Sequence, residues 1–198
     1  MKWFIRLSCV VFVIAGLAYW STVRITKNFD VVDPGKLYRS AQLTPSEMQD
    51  AINQYGIKTV ISLRGAPKNS YWYPGEIEVL KKNNVAFYDF GLEIDYFETK
   101  EELRAIAKLF KEAEKPILIH CRTGADRTGE ISALYVLEEM KLSKEEALKQ
   151  LTIKNWHVPF FHPAKTEFIK AYQGHDWLMN EYDECHYPEF IKHPESCS

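Results

Sequence analysis

No charge of one sign dominates this 198-residue chain: 25 basic residues face 27 acidic ones, for a formal net charge of -2. That balance excludes a protein that holds nucleic acid through bulk positive charge, and a hydrophobic content of 46% excludes a disordered chain. No internal repeat, low-complexity tract or long linker is present, so the length fits one domain with a sizeable core. Cysteine is scarce, with four in all (Cys9, Cys121, Cys185, Cys197), too few for a disulfide-dense scaffold. Metal-ligand spacing is also lacking: His157 and His162 stand five apart with no nearby cysteine or carboxylate companions, and no metal or other cofactor is expected. Acidic residues are missing before Asp30, whereas Lys2, Arg6, Arg24 and Lys27 precede it.

Composition divides the chain into three parts. Residues 1–27 hold an almost uncharged stretch from Leu7 to Val23, flanked by Lys2 and Arg6. This is the form of a signal peptide or an N-terminal membrane anchor. As a helix it would span roughly 25 Å, slightly short of the hydrocarbon thickness of about 30 Å. Gly16 and Ala18 suit cleavage, Tyr19 and Trp20 suit an interfacial belt, and both readings stay open. Either way the remainder is expected to be exported, to the periplasm or to the periplasmic face of the inner membrane. Residues 28–174 are nearly neutral, and residues 175–198 form a tail with six acids and one lysine. Cys185 and Cys197 in that tail either pair in an oxidising compartment or remain two free thiols.

From Asp33 to Tyr172 apolar runs alternate with capped amphipathic segments, the pattern of an α/β fold with a mainly parallel sheet flanked by helices. Thr44-Pro45-Ser46-Glu47 is a capping box opening a helix that stops at Gly56. Ile57 to Leu63 reads as a buried strand. A second helix opens at Pro74, and Val85 to Phe90 is strand-like. Thr99 and Glu102 form another box, before a helix whose apolar stripe is Leu103, Ile106, Ala107 and Phe110. Pro116 to His120 is a strand, followed by helices from about Thr128 to Met140, from Ser143, and from Ala164 to Tyr172.

The stretch that carries chemistry is His120-Cys121-Arg122-Thr123-Gly124-Ala125-Asp126-Arg127-Thr128-Gly129. It sets a cysteine at the end of a buried strand, then five loop residues, an arginine and a helix N-terminus. Backbone N–H donors, a positive helix end and a guanidinium thus converge on one point, a site for a tetrahedral dianion. Arg127 can clamp two oxygens bidentately, which a lysine could not. The same field should depress the Cys121 pKa from about 8.5 toward the range of roughly 3.5 to 7.5 seen in activated cysteines.

His-Cys, five residues, Arg and then Thr-Gly resembles the signature of the cysteine-based protein tyrosine and dual-specificity phosphatases. Leu37-Tyr38-Arg39-Ser40-Ala41-Gln42 and Gly56 to Gly65 resemble the opening of the bacterial, atypical dual-specificity type, so the likeness runs from about Asp33 to Tyr172. It implies a protein tyrosine phosphatase-like fold and hydrolysis of phosphomonoesters: phosphotyrosine first, with phosphoserine, phosphothreonine, phosphoinositides or inositol phosphates as alternatives. Alternatives of other classes are a phosphoryl-binding module without catalysis, and arsenate reduction or sulfur transfer on a comparable cysteine loop, which the His-Cys and Arg-Thr-Gly flanks disfavour. The resemblance makes Cys121 the nucleophile and Arg127 the phosphoryl clamp. Thr128 would hydrogen-bond the leaving sulfur, and His120 would orient the loop. Backbone amides from Arg122 through Thr123, Gly124, Ala125 and Asp126 to Arg127 would bind the oxygens.

Such enzymes need a general acid, usually an aspartate on a separate loop. Asp95, in the loop Gly91 to Glu98, is the first candidate, with Glu93, Glu98 and Asp126 as rivals. Asp126 is expected instead to pin the phosphate loop by accepting backbone N–H bonds. Arg64, at the C-terminal end of a strand, either touches substrate or makes a structural ion pair, the latter expected. Arg122 either meets a second phosphate or pairs with Asp126 or another neighbour. Trp72 and Tyr73 wall the entrance or cover core. Arg39 is singled out by the family-like segment without a chemistry of its own.

Overall fold

The computed structural model describes residues 26–65 and 70–197, so the Leu7 to Val23 stretch and Cys9 lie outside the described residues. Among the described residues no helix is long and apolar enough to cross a membrane. Five strands form one sheet in the order β1-β2-β5-β3-β4. They are β1 (Asp30–Asp33), β2 (Leu37–Ser40), β3 (Thr59–Ser62), β4 (Ala86–Asp89) and β5 (Ile117–His120). Only the edge pair β1 and β2 is antiparallel, and the other pairings are parallel. The expected mainly parallel α/β architecture is therefore present.

Alternation of side chains along each central strand feeds two cores, one per face. Leu37, Ile61, Ile117 and Ile119 point into the larger core, and Tyr38, Val60 and Leu118 into the smaller. The smaller face is covered by α1 (Pro45–Tyr55) and α2 (Tyr73–Lys82), through Met48, Ile52 and Leu80. The larger is covered by α3 (Lys100–Glu112), α4 (Asp126–Glu138) and α6 (Pro163–Ala171), with the short α5 (Lys144–Leu148) beside them. Both capping boxes form, at Thr44 with Glu47 and at Thr99 with Glu102, and Gly56 ends α1 in the left-handed conformation at φ 67°. The α3 stripe Leu103, Ile106, Ala107 and Phe110 is buried as its spacing predicts. Each larger apolar side chain there contributes about 1.5–3 kcal/mol.

Two features depart from the sequence pattern. β2 is a central, fully buried strand that ends Arg39-Ser40, so polar residues sit where the apolar rule wants hydrocarbon. The composition break at 174 is also not a break in packing, because Trp177, Leu178 and Tyr182 belong to the larger core. The tail beyond them carries the Cys185–Cys197 disulfide.

One buried polar cluster links the helices of the larger face to the loop after β4. Lys165 of α6 is fully buried, contacts Glu98, lies 3.0 Å from Glu130 of α4 and donates to the Tyr96 carbonyl at 2.8 Å. Burial pushes both carboxyls up against the attraction of the lysine, whose own pKa is raised because the two acids outweigh its burial. Lys165→Met should destabilise the protein by about 3–5 kcal/mol, since it leaves two carboxyls buried without their cation; urea unfolding measures this.

Candidate active site

Cys121 follows β5 directly, at the C-terminal edge of the parallel strands, and is buried. The loop from Arg122 to Ala125 then turns into α4. The three helices α1, α3 and α5 are N-capped by the side chains of Thr44, Thr99 and Ser143, but α4 starts at Ala125 with no side-chain cap. Its first amides are left for something other than its own sequence.

The loop is held from outside by its carbonyls. Gln42 N–H donates to the Arg122 carbonyl at 3.3 Å. Asn28 Nδ2 donates to those of Thr123 at 3.1 Å and Gly124 at 2.8 Å, and Arg39 Nη2 to that of Gly124 at 2.6 Å. In a trans peptide the N–H points opposite to the C=O, so drawing three successive carbonyls outward turns the following amides inward. Gly124 sits at φ 69°, and a Cβ there would lie 2.6 Å from the Ala41 nitrogen, so only glycine lets the loop back this closely onto the end of β2.

Arg39, left without chemistry by the sequence, is thus a support of the loop. It is fully buried, and Nη1 also donates to the backbone carbonyl and side-chain oxygen of Gln150 at 2.9 and 2.8 Å. No acid lies within ion-pair distance of it among the described residues. Burial lowers its pKa to about 10, opposed by the nearby charges of Cys121 and Asp30.

For Cys121, burial alone would raise the thiol pKa, but the Arg127 charge, the Thr128 hydroxyl and the amides of Thr128 and Thr123 outweigh it and hold the value below that of an ordinary thiol. Thr128 Oγ1 is buried without a well-aligned hydrogen-bond partner in the resting loop. It lies near enough to the sulfur to favour the anion. Arg127 Nη1 donates to the carbonyls of Leu63 at 3.0 Å and Leu92 at 3.2 Å, which fixes the guanidinium plane. Its Nε is buried with no partner. The His120 ring is wholly buried, with Nε2 2.9 Å from Glu76 Oε1 of α2 and Nδ1 3.5 Å from the Cys121 carbonyl. It is therefore placed by α2 beneath the loop.

These are the parts of a loop built to hold a tetrahedral anion over a thiolate, and a family model described as the tyrosine phosphatase family matches residues 23–146. The chain belongs to the tyrosine phosphatase family. A curated relative, the inositol diphosphatase DSP3 of Arabidopsis thaliana, is 32% identical over 108 residues, covering 52% of this chain and 50% of that protein. The chain thus spans about half the length of the curated relative it matches. Among solved structures, P. aeruginosa TpbA superposes with a TM-score of 0.62 at 20% identity, over 78% of this chain and 89% of that one. It has also been solved in complex with pTyr. The catalytic core of the S. cerevisiae PP-IP phosphatase SIW14 gives a TM-score of 0.60 at 20% identity, over 74% and 85%. These likenesses establish the tyrosine phosphatase fold.

The four acid candidates of this family member are treated differently by the structure. Glu98 is buried against Lys165, and Glu93 pairs with Lys192. Asp126 accepts from His157 Nδ1 at 2.8 Å, and His157 Nε2 meets Thr166 Oγ1 at 2.9 Å. The expected backbone N–H partners of Asp126 are replaced by this buried histidine, which ties the start of α4 to α6. Asp95 is largely exposed and bonds His162 Nδ1 at 2.7 Å. His162 also lines a cleft of about 210 Å³ with Thr123, Ala125, Asp126 and Phe161, so it joins the Asp95 loop to the phosphate loop.

Arg64 has no carboxylate partner among the described residues, contrary to the expected ion pair. Its guanidinium stacks 4.0 Å over Trp72 and donates to Gln42 Oε1 at 2.8 Å. Tyr73 packs edge-on against Phe87 and covers core. Arg122 is exposed, and it does not pair with Asp126. Sequence reasoning missed Asn28 and considered His157 only as a metal ligand; an arginine inside a buried strand was the one signal pointing to the loop's support.

A lowered pKa keeps Cys121 a thiolate as pH falls below the range where a free thiol takes up its proton. Iodoacetate labelling of Cys121, followed by residue-resolved mass spectrometry, should therefore show a midpoint below about 8.5. Arg39→Met should raise that midpoint, because it removes a nearby buried cation and releases the Gly124 carbonyl.

Proposed function

We propose that this protein hydrolyses phosphoric monoesters through a phosphocysteine intermediate, with aryl phosphates of the phosphotyrosine type as the first substrate class. The observation that carries this reading is the buried, unpartnered Arg127 Nε beside a thiol held below its ordinary pKa, at the uncapped start of α4. A phosphoryl dianion supplies what each lacks: an acceptor for the guanidinium, a ligand for the inward amides and an electrophile for the thiolate.

In the first step Cys121 Sγ forms a bond to phosphorus as the bond to the ester oxygen breaks, and Asp95 gives its proton to that oxygen. In the second, water attacks the phosphocysteine, Asp95 takes a proton from the water, and the sulfur leaves as thiolate, stabilised by the Thr128 hydroxyl. Arg127 and the loop amides from Arg122 to Arg127 hold the three non-bridging oxygens through both steps. Asp95 has the most exposed carboxyl of the four and is held by His162, which lines the cleft beside the phosphate loop; this supports it over Glu93, paired with Lys192, and over the far less exposed Glu98 and Asp126.

A second substrate reading has its own support. Arg64 and Arg122 add two cations to the field of Arg127 around Cys121, and Arg64 feels the charge of all three groups. A substrate with more than one phosphate, such as an inositol phosphate or a phosphoinositide, fits that field, in keeping with the similarity to the inositol diphosphatase DSP3 and the PP-IP phosphatase SIW14. We also propose that the enzyme acts after export, periplasmic or anchored at the inner membrane. The basic-flanked apolar run and the Cys185–Cys197 disulfide support this, since disulfides persist in oxidising compartments.

Cys121→Ser should abolish hydrolysis of aryl phosphates while retaining vanadate binding; turnover surviving the change would refute the nucleophile. Wild-type binding of phosphorylated ligands without turnover would favour the non-catalytic module. Asp95→Asn should lower kcat for phenyl phosphate by about 10²–10⁴-fold and much less for 2,4-dinitrophenyl phosphate, whose leaving group needs no proton. Arg64→Ala and Arg122→Ala, assayed against phosphotyrosine peptide and inositol phosphates in parallel, should impair the multiply phosphorylated substrates selectively if the second reading is right.

A further inference from the structure

The acidic tail and its disulfide have no part in the chemistry above, and the family match ends at residue 146, before the tail begins. The tail nevertheless touches the loop that carries Asp95 on both sides of that residue. Ahead of it, Lys192 pairs with Glu93. Behind it, Phe97 N–H donates to the Phe190 carbonyl at 2.8 Å. The two rings lie nearly parallel with centroids 4.8 Å apart, and Tyr187 packs on Phe97 at 4.9 Å. Tyr182 OH donates to the Glu98 carbonyl at 2.7 Å, and the Lys100 N–H donates to Glu184 Oε2 at 3.0 Å.

Tyr187, Phe190 and Lys192 all lie within the ring closed by Cys185 and Cys197, which are twelve apart in sequence. Beyond Tyr182 the tail has only three-residue helical turns and no fully buried residue; Tyr187 and Phe190 are half-buried against the larger core, and the ring closes the segment that carries them. Exposed ion pairs such as Lys192 with Glu93 hold weakly. The stacked Phe97 and Phe190 rings with their backbone hydrogen bond, closed by the disulfide, are the stronger hold.

We propose that the Cys185–Cys197 ring is a brace that positions the Asp95 loop over the phosphate loop, so that protonation of the leaving group depends on the disulfide. The inference rests on the reading of Asp95 as the acid. A dithiol reductant would release the brace: its two thiols are oxidised to a disulfide while Cys185 and Cys197 take up two electrons and two protons and become thiols. Phe190, Tyr187 and Lys192 are positioning residues, none of them touching the reacting atoms.

The test uses the full chain with phenyl phosphate and 2,4-dinitrophenyl phosphate. Phe190→Ala, the double change Cys185→Ser with Cys197→Ser, and wild type reduced with dithiothreitol should each lower kcat for phenyl phosphate by about tenfold, a fraction of the full acid contribution. Turnover of 2,4-dinitrophenyl phosphate and vanadate affinity should stay within about twofold, and the Phe190→Ala loss should vanish in the Asp95→Asn background. Equal loss on both substrates, no loss, or full additivity with Asp95→Asn overturns the brace. If a tail variant fails to fold, the reduced wild type decides by the same readout. An Asp95→Asn change that lowers turnover of both substrates equally, or of neither, removes the acid reading, and the brace with it.

Discussion

Three carbonyls held from behind are the constraint on which the site depends. The carbonyls of Arg122, Thr123 and Gly124 accept from Gln42, Asn28 and Arg39, so the intervening peptide units present their N–H groups to the interior of the loop. Those amides, the uncapped start of α4 and Arg127 make one positive field, and that field holds the pKa of the buried thiol below that of an ordinary cysteine. Desolvation works against the thiolate; fixed dipoles and a guanidinium a short distance away outweigh it because they need no reorganisation when charge appears.

The support is costly in itself. Arg39 lies in a central strand, fully buried, with carbonyl and amide oxygens in place of a carboxylate, and burial lowers its pKa. A neutral residue of similar length would be easier to bury there but would provide neither the donor fork to Gly124 and Gln150 nor a charge near the sulfur. The Lys165 cluster follows the same logic at the other loop: a buried cation holds the Tyr96 carbonyl and Glu98, so the loop bearing Asp95 is tied to α4 and α6. The loop after Cys121 and the loop bearing Asp95 are thus both fixed by buried charges, and Arg127 joins them by donating to Leu92.

Net charge contributes little to the positive field at the site. The catalytic region is close to neutral, and the tail is acidic. That field is local, from Arg127, Arg122 and Arg64 and from oriented amides, and it is effective because the site is partly sheltered from water and its dielectric. The tail's acids and its single lysine are used at short range instead, as hydrogen-bond and ion-pair partners of Lys100 and Glu93.

The helices and apolar strands were legible in the chain because each is specified locally: Thr44 and Thr99 cap, Gly56 stops, and the α3 stripe repeats at helical spacing. The loop from Cys121 to Arg127 was legible for the same reason, since strand, loop and helix start are contiguous and their chemistry needs no distant partner. The order β1-β2-β5-β3-β4, the place of Asn28 and Arg39 behind the loop, and the return of the tail to Phe97 were decided by the tertiary structure. Asn28 lies 96 residues from the Gly124 carbonyl it holds, and Lys192 lies 99 from Glu93. Pairings of that kind arise from which sheet edge and which helix face come together, and no local propensity records them. Local physics determined the chemistry this chain can perform; long-range packing decided which residues hold that chemistry in place.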